Sequence, residues 1–229
     1  MEVPKYFFLI ISISLSQWLF SQESEVRLLK PFNKIKVEDK ILVQLIKSDE
    51  ESLEIKARGI DVQRVKSTIT DNTLKLYIEV PPYKYGKVNI ILKFRQLNEI
   101  KASGVAEVSS VSLLKMDTLL VNLRSGGKAY LDLDIQHLES RIAEGALLLA
   151  EGYAVSQNAY ITTSGTLSAF NLESDIVNVK AVSTGKAKIY VNKEFTGLAS
   201  TKGYIGYKGE PVKIDKKVYT GGEIVKFEE

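Results

Sequence analysis

Two aspartates, Asp132 and Asp134, are the best candidates for chemistry in this 229-residue chain. They alternate with Leu131, Leu133 and Ile135, so on a strand both carboxylates leave by the same outward face. Paired carboxylates can run glycoside hydrolysis or hold calcium. Glu173 and Asp175 would add oxygen ligands if the register stacked them close by. Against both readings, outward strand positions are normally charged. The calcium-binding solenoid nonapeptide, Gly-Gly-x-Gly-x-Asp-x-hydrophobic-x, is also not reproduced. A solvated polar face therefore outweighs a carboxylate site. The single histidine, His137, follows Asp134-Ile135-Gln136 at an expected strand end. With no second imidazole and no cysteine, a histidine-based zinc site and a Cys–His pair are excluded within one chain. A Ser–His–Asp arrangement is formally open, but no nucleophile-elbow motif accompanies it. A half-exposed structural histidine is expected.

Eleven tyrosines suggest sugar stacking. Tyr130 and Tyr190 fall on the outward parity of their strands, and Tyr83 and Tyr85 lie in a Pro-rich connection. Tyrosine also fills strands because it packs well on a pleated surface, and that plainer account is preferred. The run Gly203-Tyr204-Ile205-Gly206-Tyr207-Lys208-Gly209 resembles a phosphate loop only superficially, since it lacks the strand–loop–helix context and the closing Lys-Ser/Thr. No residue is assigned a catalytic, cofactor-binding or metal-binding role, and no cofactor is implied. The chain is not expected to be an enzyme.

The elements that must position these residues are strands. Period-two alternation marks Ile41, Val43 and Leu45; Leu53, Ile55 and Ala57; Leu74, Leu76, Ile78 and Val80; and, after Pro81-Pro82, Val88, Ile90, Leu92 and Phe94. A short helix is expected after Gly59, from Ile60 to about Ser67. From about Ile100 a loose repeat of about twenty residues takes over, anchored at Ser103-Gly104, Ser125-Gly126, Glu144-Gly145, Ser164-Gly165, Thr184-Gly185, Lys202-Gly203 and Thr220-Gly221. The intervals are 22, 19, 20, 20, 18 and 18 residues. Periods of this size mean a solenoid, each unit being strand, glycine bend, strand and a looser connection. Glycine at the bend suits a positive φ, and the preceding Ser or Thr can bond nearby backbone. Hairpins in a sandwich are the alternative, but near-constant spacing with one local grammar favours stacked repeats. Residues 22–99 lack the glycine pattern and form either a strand-rich opening of the solenoid or a cap on its first rung. Residues 100–229 carry the repeats, and 22–229 read as one domain.

Residues 1–21 read as a signal peptide. Lys5 precedes the apolar run Tyr6-Phe7-Phe8-Leu9-Ile10-Ile11, and Ser21 precedes a plausible cut. A membrane anchor is disfavoured because Ser12, Ser14 and Ser16 interrupt a run that falls short of a bilayer span. The net charge of +3 arises from 31 basic and 28 acidic residues, well mixed, without a footprint for nucleic acid.

Phe32-Asn33-Lys34-Ile35-Lys36-Val37, Leu74-Lys75-Leu76-Tyr77-Ile78, Ile100-Lys101-Ala102-Ser103-Gly104, the successive Ser-Gly bends and Ile205-Gly206-Tyr207-Lys208-Gly209-Glu210-Pro211 occur in that order. In this the chain resembles the putative auto-transporter adhesin, head GIN domain family, over roughly Phe32 to Val225. The family favours Ser-Gly-Ser-Gly at its bends, where this chain has Ser125-Gly126-Gly127-Lys128, Glu144-Gly145-Ala146-Leu147 and Thr184-Gly185-Lys186-Ala187. The rung from Ala143 to Leu149 is unusually apolar. The resemblance implies a right-handed, single-stranded β-helix-like solenoid in an exported protein of the periplasm, cell surface or extracellular space. The segment Val218 to Glu229 is too short and polar to supply a membrane-embedded anchor.

Three functions are expected, in this order. The first is a non-catalytic binding or adhesion module for surface polysaccharide or protein. The second is a structural envelope protein that self-associates into a homo-oligomer. The last is a carbohydrate-active enzyme using Asp132 and Asp134.

Overall fold

The computed structural model describes residues 22–79 and 86–228. The expected signal peptide (1–21), Val80, Pro81-Pro82, Tyr83 and Tyr85 lie outside the described residues. The alternating segments are strands, as the pattern requires: β1 (Gln22–Leu28), β2 (Lys34–Val37), β3 (Ile41–Lys47), β4 (Ser52–Arg58), β5 (Val65–Thr70), β6 (Thr73–Ile78), β7 (Lys87–Phe94), β8 (Glu99–Ala102) and β9 (Glu107–Ser110). They continue through β10 (Leu114–Leu123), β11 (Lys128–Ile142), β12 (Leu147–Ile161), β13 (Thr166–Ala181), β14 (Lys186–Tyr190), β15 (Glu194–Ala199), β16 (Tyr204–Lys208), β17 (Lys213–Val218) and β18 (Glu223–Lys226). The helix expected at Ile60–Ser67 is replaced by one 3-10 turn, Val62–Arg64, leading straight into β5. Asp61 caps that turn by accepting a hydrogen bond from Gln63 N. Beyond the turn, Val65 and Ile69 follow strand spacing, and Val65 is buried.

The chain winds as a β-solenoid of nine stacked levels. In each turn one strand belongs to a first ladder and the next to a second, and both ladders are parallel throughout. The first ladder stacks β6, β2, β8, β10, β11, β12, β13, β15 and β17. The second stacks β7, β3, β9, β11, β12, β13, β14, β16 and β18. A tight corner leads from the first ladder to the second. The return is the looser connection expected from sequence between β7 and β8, β9 and β10, β14 and β15, and β16 and β17, but β11, β12 and β13 run unbroken from one ladder into the other.

The corners explain the repeat. Each is a four-residue turn closed by a backbone bond from its fourth N–H to its first carbonyl, as in Gly165 N to Thr162 O and Gly203 N to Ser200 O, both 2.8 Å. The two central residues have positive φ, which defines a type I′ turn. At the corners of Gly104, Gly126, Gly145 and Gly221 the anchor glycine takes one of those positions, as expected. At three others the expectation fails. Thr163-Ser164, Ser183-Thr184 and Thr201-Lys202 carry the positive φ, and glycine stands fourth. There a Cβ would run into the carbonyl of the turn beneath, Ile142 for Gly165, Ile161 for Gly185 and Ala181 for Gly203. Close stacking, not backbone freedom, selects glycine at these three. The corners also bond to one another, with Gly145 N donating to Thr163 O at 3.1 Å and Thr184 N to Thr201 O at 3.0 Å.

Inward residues of both ladders share one core, each fully buried large side chain contributing roughly 1.5–3 kcal/mol. Volume is balanced between columns. Near the C-terminal end Phe195 fills the space beside Gly197, where a Cβ would meet the phenyl ring, and packs 4.7 Å from the Tyr207 ring centroid.

Stacking order departs from chain order once. The β6/β7 turn lies outside β2/β3, which is thus sandwiched between β6/β7 and β8/β9. Outside it, β4 pairs antiparallel with β7, β1 with β4, and β5 with β6. Residues 22–99 therefore supply both solenoid turns and an antiparallel group. At the opposite end β17 and β18 pair along one edge only.

Candidate functional site

The structure separates the residues singled out for chemistry. Asp132 and Asp134 do point outward from the second ladder, but they find different partners. Asp134 pairs with Lys115 at 2.9 Å. The backbone N–H of Asp132 donates to Ser110 Oγ at 2.9 Å. In register Asp134 is followed by Tyr153 and only then by Glu173, two strand spacings or roughly 9.6 Å away. Asp175 is taken up by Lys193 at 2.9 Å and by the Tyr153 hydroxyl at 3.0 Å. The Lys193 bond, helped by Tyr153, holds the Asp175 carboxyl below its ordinary range, and the Asp175 bond raises the Tyr153 phenol. Among the described residues no cluster of three or more His, Asp or Glu is placed to hold a metal.

His137 sits on the outer face of the first ladder, where β11 turns from one ladder to the other. Its Nδ1 lies 2.8 Å from Ser156 Oγ on the next turn. The register thus makes the Ser–His pair that sequence left open, but among the described residues no carboxylate bonds to the ring. Tyr130 and Tyr190 emerge half-buried from the second ladder, apart from each other and from His137.

A groove on the outer face of the first ladder is the better site, and none of its residues was singled out by sequence. It has a volume of about 450 Å³ and runs across four turns. Two neighbouring outward columns line it. Glu139, Asn158, Asn178 and Thr196 stack in one, and Arg141, Tyr160, Lys180 and Leu198 in the other. Asn178 Nδ2 donates to Asn158 Oδ1 at 3.0 Å, the start of an amide ladder along the axis. Arg141 pairs with Glu139 at 2.7 Å. Tyr160 is 43% exposed, with Lys180 Nζ 5.7 Å from its ring centroid. The signal that marks it is recurrence: Asn158 and Asn178, like Tyr160 and Lys180, stand one repeat apart.

An open face offering amides, an aromatic ring and charges at one-strand intervals suits holding an extended partner rather than turning over a substrate. The fold that presents it is a β-solenoid. The chain belongs to the family described as putative auto-transporter adhesin, head GIN domain, whose model matches residues 31–211. Among solved structures it is similar to a putative adhesin from Bacteroides fragilis NCTC 9343, with 22% identity, a TM-score of 0.82, and 90% of this chain and 97% of that one covered. A putative adhesin from Parabacteroides merdae ATCC 43184 gives 24% identity and a TM-score of 0.72, with 90% and 96% covered. A putative lipid binding protein from Parabacteroides distasonis ATCC 8503 gives 17% identity and a TM-score of 0.66, with 90% and 97% covered. No curated protein matches the chain. At these identities the solved structures show the shared fold.

Proposed function

We propose that this protein is an exported, non-catalytic adhesion module of the cell envelope or surface that holds a polysaccharide along the outer face of its first ladder. The observation that carries the proposal is the groove of about 450 Å³ in which equivalent residues of successive turns line up at one strand spacing. A polymer with a repeating unit meets a repeating surface, so many weak contacts add. Tyr160 offers a flat apolar face for a sugar ring and a polar tip for its hydroxyls. Export is supported by Lys5 and the apolar run after it. The absence of a catalytic role is supported by the dispersal of Asp132, Asp134, Glu173 and Asp175 and by His137 meeting only Ser156.

The test is retention of the chain on immobilised polysaccharides, with Tyr160→Ala as the variant. Stacking on one aromatic is worth about 1 kcal/mol, so affinity should fall at least fivefold with unfolding temperature unchanged. Equal retention by the variant would sink the assignment to this groove.

A second reading, self-assembly, rests on one observation. Strand β17 is exposed on both faces, with Ile214 45% and Val218 50% accessible.

A further inference from the structure

One column of outward positions runs the whole length of the first ladder beside the corners. In stacking order it reads Lys75, Lys36, Lys101, Asn122, Arg141, Tyr160, Lys180, Leu198 and Lys217. Six of these are cations and none is an acid. At one strand spacing per turn the column is roughly 38 Å long. Arg124, exposed at the corner just past Asn122, adds a further charge; with Lys36, Lys101, Ser103 and Asn122 it lines a second cavity of about 280 Å³. The second ladder shows no such bias. Its outward positions mix Lys128, Lys186 and Lys188 with Asp132, Asp134, Glu151 and Glu173. The chain as a whole carries only +3, so the column lines up cations whose charge is balanced by acids beside it and elsewhere on the surface.

Acids do reach the column, but from beside it. Glu38 pairs with Lys36 at 2.6 Å and with Lys75 at 3.0 Å, Glu99 with Lys101 at 2.8 Å, and Glu139 with Arg141 at 2.7 Å. Asp215 reaches Lys217 only at 3.7 Å. Arg124 has no ionic partner among the described residues. Exposed pairs of this kind are worth about 1 kcal/mol or less, so an incoming anion can take the cation over. A line of cations one strand apart, broken by an amide, an aromatic ring and Leu198, fits a chain bearing regularly spaced carboxylates or sulfates.

We infer that the polysaccharide held by this face is acidic, a polyuronate or sulfated glycan lying along the solenoid axis over Lys36, Lys101, Arg124, Arg141 and Lys180. This deepens the groove assignment and rests on it. Cations grip the acid groups, while Tyr160 and the Asn158–Asn178 amides meet the sugar rings. A nucleic acid would satisfy the cations alone.

The test is affinity electrophoresis and titration of the purified chain against alginate, a sulfated dextran, neutral dextran and double-stranded DNA, at low and high salt. Two triple variants lose equal charge: Lys101→Gln/Arg141→Gln/Lys180→Gln on the column, and Lys128→Gln/Lys186→Gln/Lys188→Gln on the second ladder. The acidic glycans should bind, weaken with salt, and lose about tenfold in affinity with the column variant alone. Tyr160→Ala should weaken glycans but not DNA. Equal losses in both triple variants would show diffuse charge attraction and overturn the inference. DNA binding that matches alginate and ignores Tyr160→Ala would overturn it too. Binding to neutral dextran alone, weakened by Tyr160→Ala, would overturn the acidic class and leave the groove standing. Binding to none of the polysaccharides would overturn both.

Discussion

At Gly203 the backbone makes no demand for glycine, yet a methyl group there would collide with the carbonyl of Ala181 one turn below. Its neighbours Thr201 and Lys202 pose the reverse problem, since they hold φ of 51° and 61° with side chains that disfavour it. The two kinds of strain separate by mutation. Gly203→Ala should destabilise by about 3 kcal/mol, because neither strand can withdraw without breaking its ladder. Thr201→Asn with Lys202→Gly installs the residues that a type I′ turn prefers and should stabilise by about 1 kcal/mol. Thermal and urea unfolding would measure both. If the paired substitution destabilised as much as Gly203→Ala, the corner would be constrained by something other than φ. The seven anchors were legible because the same collision or the same turn recurs every eighteen to twenty-two residues. Which of the two constraints acts at a given corner was not legible, because both ask for a glycine.

Elements show the same division between what is local and what is not. Alternation placed Ile41, Val43 and Leu45, or Leu53, Ile55 and Ala57, correctly inside, since burial of one strand face is a local property. It says nothing about which strand lies next. Parallel β2–β6 and antiparallel β4–β7 alternate alike, so the stacking of β6/β7 outside β2/β3 was hidden. The groove was hidden for a related reason. Asp132 and Tyr130 lie on a strand that follows a glycine, whereas the groove uses the strands before it. Only the register puts Arg141, Tyr160 and Lys180 in one column. The out-of-order junction also has a titrating tie. Glu38, at the corner between β2 and β3, bridges Lys36 of β2 and Lys75 of β6. The Lys36 bond, with Lys75 adding to it against the opposing effect of burial, holds its carboxyl below the ordinary value of 4.5. A depressed carboxylate stabilises the fold fully above the unfolded value and loses that contribution as pH falls through the folded one. Stability should therefore drop between about pH 5 and pH 3, with Glu38 responsible for up to about 1 kcal/mol of the loss. Glu38→Gln should be less stable near neutrality and show a shallower acid limb in thermal unfolding. An unchanged limb would remove the tie from the account.

The two ends of the whole molecule differ. At one end the parallel stack is continued by antiparallel strands, β4 on β7, β1 on β4 and β5 on β6. Strand β17 at the other end keeps a free edge. Its sequence is self-complementary when two copies meet antiparallel about Lys216. Ile214 then faces Val218 of a second copy on the inner side, and Asp215 faces Lys217 of that copy on the outer side, each pair occurring twice. The two Lys216 residues would also face each other. Each, however, leans back over the Tyr207 ring of its own preceding turn, 5.4 Å from the centroid. Light scattering over a wide concentration range should find a discrete dimer. Asp215→Lys should return it to monomer by at least tenfold in dissociation constant, placing like charges across both outer pairs. Adding Lys217→Asp restores opposite charges across the same register and should restore the dimer, which a merely misfolded variant would not do. A strict monomer at all concentrations would remove this edge from consideration. A growing filament would also contradict it, because a two-fold contact closes on itself and only head-to-tail contacts propagate. A closed dimer would put both basic columns on one outer face, offset by two residues where Lys217 meets Asp215 of the second copy, so that two stretches of one glycan could be held at once and avidity would rise without any new contact.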